Sequence, residues 1–259
     1  MPLNVLIIGD IVGKLGRRTV ATVLPDLRRS LEIDLVIANG ENVAGGRGLT
    51  PGTADELYQS GVDVITSGNH IWENREVYPL LDNPDAPIVR PLNYPADAPG
   101  RGVFVRDDVT VINLMGRTFM GAHLDCPFRA VDQALSQLHA PRIIIVDMHA
   151  EATSEKVAIG YYLDGRVSAV VGTHTHIPTS DTRVLPEGTA YVTDLGMVGA
   201  LHSVLGMAVQ PVIERFLTQL PNRFDPVDRG PAVFNSVLLR LDRDSGRAIS
   251  IERVDRQVA

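Results

Sequence analysis

Leu3-Asn4-Val5-Leu6-Ile7-Ile8 runs apolar after Asn4 and stops abruptly at Gly9-Asp10. An unbroken apolar run of this length marks a strand buried on both faces, which needs cover above and below. Val20, Val23, Leu24, Leu27 and Leu31 then recur at helical spacing. Pro25 inside that pattern predicts a kink. Leu35 to Ala38 reads as a second strand. Thr50-Pro51 reads as a capped helix start with Gly61 as its stop. Val62 to Thr66 is a third strand, and Val103–Val105 with Val109–Leu114 flank Asp107-Asp108 as a hairpin. Arg142–Val146, Val167–Val171, Ala190–Thr193 and Val233–Leu241 continue the strand signal. Strand-helix-strand units at the start and hairpins later predict a mixed α/β layered sandwich.

The chain has 259 residues, which predicts one domain spanning 1–259. It is 44% hydrophobic and 21% charged, a balance that excludes a disordered chain. With a net charge of −7, tight binding to long nucleic acid through counterion release is not expected. A small anionic substrate stays compatible, because bound metal can supply positive charge. Cys126 is the sole cysteine, so no intrachain disulfide or cysteine zinc cluster can form, which suits a reducing cytoplasm. No apolar run approaches about 18 residues, so no membrane span is expected. Met1-Pro2-Leu3-Asn4 lacks the basic start of a signal peptide.

Five of these apolar runs share a second property: each stops in residues that carry chemistry. The first three end in Gly9-Asp10, in Asn39-Gly40-Glu41-Asn42 and in Ser67-Gly68-Asn69-His70. The later two end in Asp147-Met148-His149 and in Gly172-Thr173-His174-Thr175-His176. Ligands in open α/β sheets lie beyond the carboxyl ends of strands, so these segments are expected to converge. Carboxylates, carboxamides and imidazoles without a thiolate suit a divalent cation such as Mn, Fe or Zn. Asp10, Glu41, Asn42, Asn69, His149, His174 and His176 can supply two such ions, with Glu41 a reasonable bridge. His174 and His176 leave a strand two residues apart and so share a face.

Each residue also has a plainer reading. Asp10 can cap the next helix. Glu41, Asn42 and Asn69 can satisfy loop backbone, and His149 can be a hydrogen-bonded core histidine. The conjunction favours the site. His123, His139 and His202 stand in loop or helical contexts and read as structural or solvated. Cys126-Pro127 has no basic neighbour close in sequence, so a nucleophilic thiol is not expected. Ala44-Gly45-Gly46-Arg47-Gly48 can hold a phosphate with backbone N–H groups and Arg47, or form a plain turn. Gly9-Asp10-Ile11-Val12-Gly13-Lys14 approaches a P-loop but has three residues between its glycines and Leu15 after the lysine.

Taken together, these segments resemble the calcineurin-type metallophosphoesterases, and especially their bacterial YmdB-like branch. The motifs that carry the resemblance are Gly9-Asp10-Ile11-Val12-Gly13, Asn39-Gly40-Glu41-Asn42, Gly68-Asn69-His70 and Asn113-Leu114-Met115-Gly116-Arg117. His149-Ala150-Glu151-Ala152-Thr153-Ser154-Glu155-Lys156 and Gly172-Thr173-His174-Thr175-His176 complete the set. The resemblance implies a four-layer α-β-β-α sandwich, two mixed sheets back to back with helices outside. Two departures from the broad superfamily stand out. Its Asp-x-His becomes Asp10-Ile11-Val12, and its Gly-Asp-x-x-Asp becomes Asn39-Gly40-Glu41-Asn42. The branch resemblance implies that Glu41 replaces the bridging aspartate and that Asn42 fills the missing ligand position. Asp10, Glu41, Asn42 and His176 would then serve one metal, and Glu41, Asn69, His149 and His174 the other.

The resemblance further implies two divalent ions, Fe or Mn first and Zn or Mg after them. It implies a small phosphate-ester substrate, 2′,3′-cyclic nucleotides foremost. Two metals about 3.5–4 Å apart can hold a bridging hydroxide for in-line attack on phosphorus. His70, next to Asn69, is placed to protonate the departing alkoxide as general acid; the alternative is that it orients a ligand. A general phosphomonoesterase and a non-catalytic nucleotide-sensing regulatory protein are the competing readings. A cytoplasmic homo-oligomer is expected. Asp194-Leu195-Gly196-Met197 and the helical stretch Val212, Ile213, Phe216 and Leu217 line either the site mouth or an oligomer interface.

Overall fold

A computed structural model of the chain describes residues 2–138 and 143–259. His139 and the first residue of the strand expected from Arg142 lie outside the described residues. In chain order the first half comprises β1 (Leu3–Ile8), β2 (Asp10–Ile11), α1 (Gly13–Ser30), β3 (Leu35–Asn39), α2 (Pro51–Gln59) and β4 (Val64–Thr66). A short 3-10 turn (Arg75–Val77), α3 (Tyr78–Asp82), β5 (Val103–Arg106), β6 (Val109–Met115) and α4 (Pro127–Gln137) follow. Next come β7 (Ile143–His149), α5 (Thr153–Tyr162), β8 (Ala169–Thr173), β9 (Arg183–Val184), β10 (Ala190–Val192) and β11 (Met197–Ala200). The chain closes with α6 (Val209–Thr218), β12 (Ala232–Phe234), β13 (Ser236–Leu241), β14 (Ala248–Arg253) and β15 (Arg256–Val258).

Two mixed sheets, ordered β14-β13-β1-β3-β4 and β5-β6-β7-β8-β10-β9, build the sandwich. Side chains alternate across each strand and thereby assign the layers. Leu3, Val5 and Ile7 of β1, Leu35 and Ile37 of β3, Ile143 and Ile145 of β7, and Ala169 and Val171 of β8 form one core between the sheets. Leu6 and Ile8 point the other way, onto Val20, Leu24 and Leu27 of α1 and Ala54 and Leu57 of α2. Ile144, Val146 and Met148 pack outward with Val131 of α4 and Ile159 of α5. The four-layer α-β-β-α sandwich is therefore present as expected. Strands buried on both faces read as unbroken apolar runs, which is why β1 and β3 were legible.

Several details differ from the sequence reading. A third, four-stranded sheet, β15-β12-β11-β2, stands beside the sandwich. The expected strand Val233–Leu241 breaks at Asn235, because β12 pairs with β11 while β13 pairs with β1. The chain makes the same crossing between β1 and β2 at Gly9, where a β-carbon would lie 2.0 Å from the Gly196 carbonyl oxygen. Helix α1 continues through Pro25. The carbonyl freed at Ala21 lies on the solvent side with Pro25, so water can satisfy it. Thr50 caps α2 in a reciprocal box with Thr53, with Pro51 in the first turn. Asp10 is not a cap: the N-cap of α1 is Val12, which makes no side-chain cap bond.

Candidate metal centre

Register brings the strand ends level. Asn39 stands opposite Thr66, and His149 opposite both Met115 and Thr173. Continuing the inner-face alternation past Ile37, Val64, Ile145 and Val171 leads to Asn39, Thr66, Asp147 and Thr173. The interior layer thus turns from apolar to polar at one end of the sandwich. Buried polar groups must pair, and these do. Asp147 accepts from Thr66 Oγ1, from Thr173 Oγ1 at 2.7 Å and from Asn39 Nδ2 at 3.5 Å. With Thr173 donating to Asp147, Nδ1 of His149 donates to Thr173 Oγ1 at 2.9 Å. That relay fixes the ring and turns Nε2 toward the candidate ligands.

All seven expected ligands come together. On one side, Asn42 Nδ2 lies 3.3 Å from His176 Nε2, and His176 Nε2 lies 3.8 Å from Asp10 Oδ1. On the other, His149 Nε2 lies 3.0 Å from Asn69 Oδ1 and 3.1 Å from His174 Nδ1. Glu41 joins the halves: its Oε1 is 3.1 Å from Asn42 Nδ2 and 3.2 Å from His149 Nε2. Ligand atoms of Glu41, His149 and His174 lie within 4.8 Å of one another. His174 N–H donates to Asp10 Oδ2 at 3.0 Å. His176 Nδ1 donates to the Leu205 carbonyl at 3.1 Å, so its Nε2 also turns inward. Gly68 makes this proximity sterically feasible, since a β-carbon there would lie 2.2 Å from His149 Nε2 and 2.5 Å from Glu41 Oε2.

These residues fit a divalent cation on two grounds. Asp10 Oδ1 is buried without a hydrogen-bond partner, which costs about 1–3 kcal/mol unless something else satisfies it. His149 Nε2 faces a carboxylate oxygen, a carboxamide oxygen and a second imidazole nitrogen at once. One ring nitrogen cannot serve all three, whereas a cation among them can. The charge balance agrees. Burial pushes the Asp10 carboxyl up to about 6 against the pull of His176 and His149. Burial also opposes the Glu41 carboxylate, but the His149 ring and the His70 backbone outweigh it and hold Glu41 at about 2. Burial lowers His149, yet Glu41 first, then Asp10 and Asp147, raise it to about 9. Burial and the neighbouring His149 push His174 down to about 3. In the metal-free site a protonated His149 thus supplies the positive charge that holds Glu41, a role that a bound cation would take over.

A cavity of about 500 Å³ opens over the cluster. Glu41, Asn42, His174 and His176 line its floor with His70. The His70 backbone N–H donates to Glu41 Oε2 at 3.0 Å, and its Nδ1 donates to Glu73 Oε1 at 3.3 Å. Gly46 and Arg47 of the glycine-rich loop form part of the wall. Val204, Leu205, Met207, Val212, Phe216 and Phe224 give one side an apolar face, with Arg215 and Gln219 beside them and Glu151 and Thr175 near the histidines. Of the two readings for the helical stretch, the site mouth holds for Val212 and Phe216. His123 and His202 are exposed loop residues. Cys126 precedes α4, half-buried. Sequence reasoning missed Asp147, Thr173, Glu73 and Glu151, whose Oε2 is 3.2 Å from His174 Nε2. Asp147, Thr173 and Glu151 each stand within two residues of an expected ligand, so position beside a ligand is their signal in the sequence.

A four-layer sandwich whose strand ends converge on carboxylates, carboxamides and imidazoles has the build of the metallophosphoesterases. Within that class the chain belongs to the YmdB-like protein family, whose sequence model matches residues 6–254. It is 46% identical to the 2′,3′-cyclic-nucleotide 2′-phosphodiesterase of Bacillus subtilis (strain 168), over 97% of this chain and 96% of that protein. A hypothetical protein from Thermus thermophilus superposes with a TM-score of 0.92 at 44% identity, covering 99% of this chain and 100% of that one. A novel phosphatase from Mycoplasma pneumoniae superposes with a TM-score of 0.93 at 31% identity, over 99% and 94% of the two chains. No helix among the described residues is long and apolar enough to cross a membrane.

Proposed function

We propose that this protein is a two-metal phosphodiesterase that hydrolyses 2′,3′-cyclic nucleotides. The observation that carries the reading is the position of Glu41, whose Oε1 touches both Asn42 Nδ2 and His149 Nε2. Glu41 therefore stands between an Asp10, Asn42, His176 group and an Asn69, His149, His174 group, the arrangement a bridging ligand needs. Divalent cations bound there, Mn or Fe by the oxygen-and-imidazole donor set, would supply Lewis acidity toward the phosphate and an activated water. The remaining work falls to the chain. Glu73 orients the His70 ring at the cavity floor, where it protonates the departing ribose oxygen. The Arg47 guanidinium makes no hydrogen bond or ion pair among the described residues and meets a phosphate oxygen. The apolar wall with Phe216 receives the nucleobase. The similarity to the Bacillus subtilis enzyme supports the cyclic substrate.

A cavity of about 500 Å³ is large for inorganic phosphate and suits a mononucleotide. This favours a nucleotide ester over a general phosphomonoester. Exposed Leu217 and Leu220 support the expected homo-oligomer, which sedimentation velocity tests. The lone Cys126 accords with a cytoplasmic setting. Turnover of 2′,3′-cyclic, 3′,5′-cyclic and monoester nucleotides by Mn-loaded protein tests the reading. Preference for the 2′,3′-cyclic substrate is expected. Tight binding without turnover would instead point to a nucleotide sensor.

A further inference from the structure

Two imidazoles at the site are carried on backbone that ordinary residues avoid. His174 has a φ of 99° and His176 a φ of 65°, in the left-handed region that L side chains enter only when the surroundings hold them there. The residue between them is the one that is held. The Thr175 backbone N–H and hydroxyl both donate to Asp194 Oδ2, at 3.2 and 2.7 Å. Lys156 Nζ donates to the same oxygen at 2.6 Å, and Gly196 N–H donates to Asp194 Oδ1 at 2.8 Å. Both partners of the ion pair are buried, each side chain 1% exposed.

The fold makes room for this pair. At Gly172 on β8 a β-carbon would stand 1.8 Å from the Thr193 carbonyl oxygen and 3.0 Å from Lys156 Cδ. Lys156 belongs to α5, Asp194 follows β10, and Thr175 follows β8, so the contact ties three elements together. A buried ion pair is a poor device for stability alone, because desolvation of both charges offsets their attraction. Fixing one backbone shape is a role it can perform. We propose that Lys156 and Asp194 are positioning residues that hold the His174-Thr175-His176 loop in the shape that aims both imidazoles into the site. The proposal rests on the two-metal reading. Lys156 anchors the Asp194 carboxylate, and that carboxylate anchors Thr175. Without the anchor the loop relaxes toward ordinary φ values and the two rings swing apart.

The test uses the full chain, Lys156→Met/Asp194→Asn, which removes both charges together, and Thr175→Val, which removes one bond and leaves the ion pair intact. Mn²⁺ binding is read by calorimetry and thermal unfolding is read on the chelated protein. The double variant is expected to unfold near the wild-type temperature while its Mn²⁺ affinity falls roughly 10–100-fold. Thr175→Val is expected to lose affinity roughly tenfold with little change in unfolding. If the double variant does not fold, Thr175→Val decides alone. Unchanged affinity in the variants overturns the assignment, as does an affinity loss that only tracks collapse of the chelated fold. A wild-type chain that takes up neither Mn²⁺ nor Fe²⁺ overturns the two-metal reading and this assignment with it.

Discussion

Replacing Gly68 by alanine puts one methyl group where the site has no room. The new carbon would lie 2.2 Å from His149 Nε2, 2.3 Å from His149 Cδ2 and 2.5 Å from Glu41 Oε2. Ordinary contact is about 3.5 Å, so ring and carboxylate must each retreat by about 1 Å. Neither has slack, since both are buried. Gly68 is not among the glycines at positive φ, so alanine strains no backbone and the damage stays local. Overpacking of this kind costs about 1–3 kcal/mol of stability. The effect on chemistry is larger, because a misplacement of about 1 Å at a reacting site costs on the order of 10²-fold in rate. Initial rates on 2′,3′-cAMP, metal per chain and calorimetric unfolding together separate the two effects. Gly52→Ala is the control: nothing lies within 4 Å of its β-carbon, and it should keep full activity. A Gly68→Ala enzyme with wild-type rate and metal content would refute the claim that His149 and Glu41 act together on a metal.

His70→Ala should lower kcat by about 10²–10⁴ while leaving metal content unchanged, and loss of metal instead would assign His70 to ligand support. Phe216, 75% exposed at the cavity wall, should on mutation to alanine raise KM for 2′,3′-cAMP roughly tenfold. KM for base-free ribose 2,3-cyclic phosphate should not move, and an equal change in both would remove Phe216 from base recognition. For the chelated protein, His149 is raised from 6.5 to about 9, so its contribution is complete below 6.5 and lost as pH rises through 9. Glu41, lowered from 4.5 to about 2, contributes above 4.5 and is lost as pH falls toward 2. Asp10, raised to about 6, opposes it on the acid side, which leaves the decline above 6.5 as the clean arm. A denaturation midpoint that climbs between pH 6.5 and 9 would contradict this balance.

Asp10, Glu41, Asn69 and the His-x-His pair were legible because each follows an apolar run that can only be a buried strand. The end of β7 was less so. Its apolar run suggested a stop at Val146, yet the strand continues to His149. Asp147 is satisfied inside by Thr66, Thr173 and Asn39, partners up to 108 residues away. Periodicity cannot register such a pairing. The third sheet escaped because its strands are two to four residues long, too short for alternation to show. Lys156 and Asp194 are 38 residues apart, and although each stands in a segment the sequence marks, nothing in the sequence pairs them. Only the packing of α5 against β8 reveals that they are inside.

Metal content read against turnover bears most directly on the central claim. Elemental analysis of the purified chain should find two divalent ions per molecule. Chelation should abolish hydrolysis of 2′,3′-cAMP, and Mn²⁺ or Fe²⁺ should restore it. Undiminished hydrolysis by a chain stripped of every ion would contradict the account.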